Sequence, residues 1–184
     1  MLRATDPLPA RPRRVVVAGV SGVGKTTLAA RISEVLGIPH TEIDALFHGR
    51  DWTPRPEFVD DVHRLVAGDA WVTEWQYSAA RPLLTARAEL LVWLDLPFAT
   101  VTLPRVVART VRRRLRREHL WNGNVEPPLR TFFTSPEHIV RWSISTRDKY
   151  RERIPALDVS FPVVRLRTAR EVERWLAGPL RAAR

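Results

Sequence analysis

The stretch Gly19-Val20-Ser21-Gly22-Val23-Gly24-Lys25-Thr26 constrains this chain more than any other. It satisfies the pattern G-x-x-x-x-G-K-[ST] at every required position. Arg14-Val15-Val16-Val17-Ala18 before it is a short β-branched run, as expected of a buried strand. Thr27 to Leu36 after it reads as a helix, with Leu28, Ile32 and Val35/Leu36 on one face. Strand, glycine loop and helix in that order make a phosphate-binding loop. Glycines let the backbone bend tightly and approach phosphates without a Cβ in the way. The loop's N–H groups then converge on the anion at a helix N-terminus. The residues expected against a nucleotide are Gly19, Ser21, Gly22, Val23, Gly24, Lys25, Thr26 and Thr27. Lys25 can bridge the β- and γ-phosphates, and the Thr26 hydroxyl can ligate Mg²⁺.

A length of 184 residues suffices for one compact domain with its own core, and a hydrophobic fraction of 45% argues against disorder. The chain has no cysteine, which excludes a disulfide framework and cysteine-based metal or nucleophilic chemistry. No apolar run approaches the roughly 20 residues of a membrane span. Residues 1–12 are rich in Pro and Arg, lack an apolar h-region, and read as a flexible tail rather than a signal peptide. A cytoplasmic protein is the default expectation. The net charge is +10, and of the 30 basic residues only Lys25 and Lys149 are lysines. Arginine suits bidentate phosphate recognition. Such a balance fits nucleic acid or anionic small molecules. The loop favours the second.

After the loop, the first helix stops at Gly37, a good residue to follow a helix end. His40 to Asp44 is a plausible second strand, with Asp44 at its carboxyl end, where ligands bind in open α/β sheets. Residues 45–56 are loop-like, and Glu57 to Ala67 reads as a helix with Phe58, Val62, Leu65 and Val66 on its apolar face. Trp71 to Trp75 is a third strand with Glu74 near its end, and Ser78 to Arg87 a short helix. Glu89 to Leu94 is near-continuously apolar, the mark of a central parallel strand. Phe98 to Glu118 reads as a long helix with Leu103, Val107, Val111 and Leu115 as its buried stripe. Ser135-Pro136 looks like the start of a helix running to about Ile154. Val163 to Leu166 is a last strand, and Thr168 with Glu171 forms a capping box for a final helix. About five strands alternating with helices predict an α/β three-layer sandwich around a parallel sheet with right-handed crossovers. Residues 13–184 form one domain in this reading.

The order of the phosphate loop, Ile43-Asp44-Ala45-Leu46, Trp71-Val72-Thr73-Glu74, Val92-Trp93-Leu94-Asp95-Leu96-Pro97 and an arginine-rich helix resembles the adenylate-kinase-like P-loop kinases. Within them it most resembles the branch labelled topology modulation protein, or adenylate kinase and related kinases. The similarity spans roughly residues 13–178. It implies a core, a substrate-binding insertion at 45–68 and an arginine-bearing lid at 118–135, with ATP and Mg²⁺ as cofactors. One departure stands out: the third strand of that branch usually ends Asp-Gly-Asn-Tyr, where this chain has Glu74-Trp75-Gln76-Tyr77.

The roles expected for a kinase follow. Asp44 orients or deprotonates the acceptor hydroxyl, or holds Mg²⁺ through water. Glu74 is the metal-side carboxylate beside Thr26, with Asp95 as second choice. Arg109 and Arg113, four residues apart on the helix beside the lid, clamp the transferring phosphoryl group. Arg147 and Arg151 make the same spacing on the helix returning from the lid. Trp75, Trp121 and Trp142 are candidates to stack on a base or ring, and Trp52, Trp71, Trp93 and Trp175 to pack. The five histidines show no metal-ligand spacing, so Mg²⁺ is the one metal expected. The leading function is phosphoryl transfer from ATP to a small-molecule or nucleotide acceptor. A nucleic-acid-associated NTPase and an ATP-binding regulatory module with little catalysis are the alternatives.

Overall fold

A computed structural model of the chain describes residues 1–128, 130–134 and 138–184. Among these residues the sheet has four parallel strands: β1 (Arg14–Gly19), β2 (Trp71–Glu74), β3 (Leu90–Leu94) and β4 (Val163–Leu166), in the order β2-β1-β3-β4. All of β2 and β3 is buried, and so is β1 beyond Arg14. That is why these strands read as continuous apolar runs rather than as alternation.

The alternation reappears in where the side chains go. Val15 and Val17 of β1 join one core, with Val92, Leu94, Val164 and Leu166. Leu28, Ala29, Ile32 and Leu36 of α1 (Lys25–Leu36) and Val172 and Trp175 of α9 (Ala169–Trp175) close that face. Val16 and Ala18 point the other way, into a core with Leu91 and Trp93. Phe58, Val62 and Val66 of α3 (Phe58–Ala67) and Ala80 and Leu84 of α4 (Ala80–Arg87) cover it. Period-two side chains with helices on both faces give the expected three layers.

Several expectations are corrected. Among the described residues the sheet has four strands where about five were expected. The segment at His40 makes only an isolated bridge with Val72. The chain then turns into α2 (Ile43–Phe47), because the Ile43 N–H is claimed by the Glu74 carboxylate rather than by a ladder. Asp44 therefore sits in the first turn of a short helix, not at a strand end. Residues 1–12 are not loose: Leu2 pairs with β4 through Val163 and Arg165, and Ala4 is buried in the first core. The long helix after β3 begins as a π-helical turn at Phe98–Thr102 and continues as α5 (Leu103–Arg116). Its predicted stripe does not face the core, since Val107 is 41% and Leu115 75% exposed; Val106 and Thr110 are buried instead.

Beyond α5 lies a 3₁₀ turn at Trp121–Gly123, then α6 (Thr131–Thr134), α7 (Ile139–Ser145) and α8 (Lys149–Arg153). The helix expected from Ser135 to Ile154 is broken between α7 and α8, where the Thr146 hydroxyl hydrogen-bonds back to the Trp142 carbonyl. The Ser135-Pro136 start falls outside the described residues, and His138 caps α7 by accepting from the Val140 N–H. Thr168 caps α9 as expected, accepting from the Glu171 N–H at 3.1 Å.

Candidate active site

β1 runs out at Gly19 between its two neighbours β2 and β3, so the loop after it opens at the point where strand order reverses. Ligands bind at such switch points in open α/β sheets. Gly22 has φ of 78°, and a Cβ there would stand 2.0 Å from Cγ2 of Val106. The loop thus presses directly on α5, and only the smallest residue fits. Gly24 caps α1 in the left-handed region, with nothing near its missing Cβ. Open space and free N–H groups at the start of a helix form a cradle for an anion.

Lys25 is 7% exposed, and its Nζ donates to the Val20 carbonyl at 3.2 Å. Burial pulls its pKa down to about 8, against the attraction of Asp44 and Glu74. The Thr26 hydroxyl at the loop's end helps hold the Glu74 carboxyl, at the end of β2, below its ordinary value. Glu74 is 2% exposed; Oε2 accepts from the Ile43 N–H at 3.0 Å and Oε1 lies 3.5 Å from His40 Nε2. Burial pushes this carboxyl up, but His40, the Ile43 N–H and Thr26 outweigh it, and it stays ionised below its ordinary value. An ionised Glu74 beside the loop fits a metal-side carboxylate. Asp95 is engaged elsewhere, with Arg151 at 3.0 Å and with Arg165.

The negative charge of Asp44 acts on both Lys25 and Arg109. Its Oδ1 accepts from Gln76 Nε2 at 2.8 Å and from the Tyr77 hydroxyl at 2.6 Å. Tyr77 in turn lies 3.2 Å from His48 Nε2 and stacks on Phe47 at 3.9 Å between centroids. Burial, then Asp44, raises the Tyr77 phenol, which stays protonated and donates. Burial lowers the His48 imidazolium pKa, so the ring is neutral. Tyr77 holds φ of 53°, a costly conformation for an aromatic residue, of the kind that collects at functional sites.

The arginines divide. Arg109 is half-buried, its Nε has no hydrogen-bond partner, and among the described residues no carboxylate lies within 4.0 Å of it. Arg113 is tied down instead, 3.6 Å from Glu118 and 3.6 Å from Glu126. Arg147 is exposed, pairs with Asp148 at 3.2 Å and donates to the Ile144 carbonyl. Of the three, Arg109 alone has no carboxylate partner among the described residues, and its charge lowers the Lys25 pKa.

The turn at Trp121–Gly123 closes over the segment after α2. Trp121 Nε1 donates to Glu42 at 2.8 Å, Asn124 Nδ2 to the Gly49 carbonyl at 2.8 Å, and Asn122 to the His48 carbonyl. Asn124 Oδ1 accepts from the Trp52 N–H, and Trp52 Nε1 reaches the Val125 carbonyl at 3.2 Å. His48 and Trp121 stack at 5.8 Å between centroids. Asp51, Trp52 and Asn122 at this seam all have positive φ. Trp52, expected to pack in a core, belongs here. Trp75 does not: its ring is buried against Tyr150, and Nε1 donates to Thr85 at 2.9 Å. Gln76, Tyr77, His48, Asn122 and Asn124 were not singled out in the sequence; Tyr77 stood only as the last residue of the departing Glu74-Trp75-Gln76-Tyr77 string.

Comparison with known proteins bears on this geometry. No family model matches the chain. Two cytidylate kinases, from Nitratidesulfovibrio vulgaris strains DP4 and Hildenborough, are 42% identical over 52 residues, 28% of this chain and 22% of each relative. Among solved structures, a gluconokinase from Sinorhizobium meliloti 1021 aligns over 95% of both chains with a TM-score of 0.56 and 22% identity. A shikimate kinase from Bacteroides thetaiotaomicron aligns over 90% of this chain and 95% of its own, with a TM-score of 0.52 and 13% identity. The fold is that of the P-loop kinases, in agreement with the resemblance to their adenylate-kinase-like group.

Proposed function

We propose that the protein transfers the γ-phosphoryl group of ATP to a hydroxyl of a small-molecule acceptor. The observation that carries this reading is the placement of Asp44. Its carboxylate is held by Tyr77 and Gln76, and its charge acts on two cations, Lys25 of the phosphate loop and Arg109. A carboxylate fixed by two donors, whose charge acts on two cations, is placed to serve as a base.

The residues fit both ATP and Mg²⁺. The space at Gly24 is open to a triphosphate, and among the described residues Lys25 and Arg109 are cations with no carboxylate in contact. Thr26 and Glu74 form the oxygen pair that would hold Mg²⁺, directly and through water. Bound there, the metal would neutralise charge on the β- and γ-oxygens. Asp44 takes the proton of the acceptor hydroxyl as its oxygen bonds to the γ-phosphorus and the bond to the β–γ bridging oxygen breaks. Lys25 and Arg109 neutralise the equatorial oxygens, and ADP leaves with the electron pair. Residues 45–68 and 118–135 serve as acceptor insertion and lid. Closure over Trp121 excludes water, so the phosphoryl group goes to the acceptor rather than to hydrolysis.

The test is phosphate transfer from γ-labelled ATP with Mg²⁺ across nucleoside monophosphates, nucleosides, sugars and hydroxy acids. Lys25→Ala should abolish transfer, and Asp44→Asn should cut it at least about a hundredfold with ATP affinity kept. Transfer that survives Lys25→Ala would remove the phosphate-loop assignment. Equal loss of transfer and ATP binding in Asp44→Asn would remove Asp44 from the acceptor side.

A further inference from the structure

We propose that Arg81, Lys149 and Arg153 form a binding site for an oxyanion, a carboxylate or phosphate group, at the seam between α4 and α8. Arg81 stands in the first turn of α4 with its guanidinium 5.5 Å over the Trp75 ring. The same ring lies 6.1 Å from that of Tyr150, whose hydroxyl donates to the Trp75 carbonyl at 3.3 Å. Tyr150 therefore pins α8 to Trp75, the residue just past the end of β2 and under the Arg81 guanidinium. Lys149 precedes it, with its ammonium 5.6 Å over Trp142. Arg153 follows Lys149 by one helical turn and so shares its face.

All three side chains are partly buried. Nη1 of Arg153 is buried with no hydrogen-bond partner. Among the described residues no carboxylate oxygen lies within 4.0 Å of any of the three. Their neighbours in sequence show that this is not for want of acids. Asp148 is spent on Arg147 and Arg151, and Asp95 on Arg151 and Arg165. Burial and the nearby Arg153 lower the affinity of Arg81 and Lys149 for their protons, as expected of cations crowded without a counter-charge. Like charges one turn apart destabilise a helix, and a partly buried cation without a partner is costly. An oxyanion removes both costs. Two guanidinium forks and an ammonium suit the several acceptor lone pairs of a carboxylate or phosphate.

Position gives the site its use. α8 follows α7, whose Ser143 hydroxyl donates to the Ser21 carbonyl of the phosphate loop at 3.3 Å. Arg81 begins four residues after Tyr77, which holds Asp44. The oxyanion is either a substituent of the acceptor itself or a free phosphate that acts as an effector.

Inorganic phosphate is the probe, titrated by calorimetry and by thermal melting against sodium chloride at matched ionic strength. Wild type, Lys149→Met, Arg153→Gln and Lys25→Ala are compared. Phosphate should stabilise wild type and Lys25→Ala. Lys149→Met and Arg153→Gln should bind it about tenfold more weakly or worse, while melting no lower than wild type without anion. That pairing separates a ligand site from a structural role. Phosphate binding that is unchanged in both variants, or lost only in Lys25→Ala, overturns the site. So does a melting point that falls in the variants by the same amount with and without phosphate. Binding is read without turnover, so failure of the phosphoryl-transfer reading leaves the result standing. Where transfer is measured, a preference for acidic over neutral acceptors that collapses in Arg153→Gln assigns the anion to the acceptor. An intact preference beside a lost phosphate effect assigns it to a free ligand.

Discussion

Lys25 carries a buried charge that costs the fold stability. Its ammonium is buried against a single carbonyl, and its pKa falls from 10.5 to about 8. The sign follows from proton counting. Between about pH 8 and 10.5 the unfolded chain holds a proton that the folded chain has lost, so stability rises with pH across that window. Below about pH 8 the cost of the buried charge is paid in full. Lys25→Met should therefore stabilise the protein at pH 7 by up to about 3 kcal/mol, a gain that shrinks as pH rises toward 10. Melting curves at the two pH values check it, and a variant less stable than wild type at pH 7 refutes it. Tyr77 offers the complementary test. Tyr77→Phe removes one hydrogen bond to a carboxylate, worth about 1.5–3 kcal/mol. If Tyr77 positions Asp44, kcat should fall roughly 10- to 100-fold with ATP affinity unchanged. A fall in KM and melting temperature with kcat kept would make it merely structural.

The contact between the phosphate loop and α5 is the tightest joint between elements of the site. Gly22→Ala would drive a methyl group into Cγ2 of Val106, 2.0 Å away, and would also impose positive φ on an alanine. Both together should cost about 2–4 kcal/mol and with it most ATP affinity. Adding Val106→Ala removes the clash and leaves the backbone strain, so the double variant should recover part of the binding. No recovery would mean that the loop does not bear on α5. This joint also explains what the sequence could and could not disclose about the elements. β1 and β3 were legible because strands buried on both faces must be apolar throughout. α5 was legible as a helix, but not by face: Leu103, Val107 and Val111 made the better stripe on paper. They line a groove of about 420 Å³ with Thr110 and with Ile144 of α7, while Val106 meets the loop. The strand expected at His40–Asp44 failed for a similar reason. Its residues suit a strand, but the Glu74 carboxylate takes the Ile43 N–H and starts a helix.

Taken as a whole, the molecule closes on itself through contacts that no local pattern announces. The phosphate loop was readable because its chemistry lies within eight consecutive residues. The cover over Asp44 joins positions more than seventy residues apart, such as Trp121 with Glu42 and Asn124 with Gly49 and Trp52. In sequence Asn122-Gly123-Asn124 reads only as a loop. In space it is a latch, with the side-chain amides of Asn122 and Asn124 donating to the His48 and Gly49 carbonyls. Asn124 is 6% exposed and spans two backbone groups at once, so Asn124→Ala leaves the Gly49 carbonyl and the Trp52 N–H to water. The latch lies outside both cores, so global stability should change little, with the melting point moving by less than about 3 °C. Local opening should change much more: amide exchange across residues 118–126 should quicken by about tenfold, since 1.4 kcal/mol of closure is lost. An open cover also admits water to the phosphoryl group, so ATP hydrolysis without acceptor should rise as transfer falls. Unchanged exchange across that segment, with transfer reduced, would show that Asn124 acts on the acceptor pocket and not on closure.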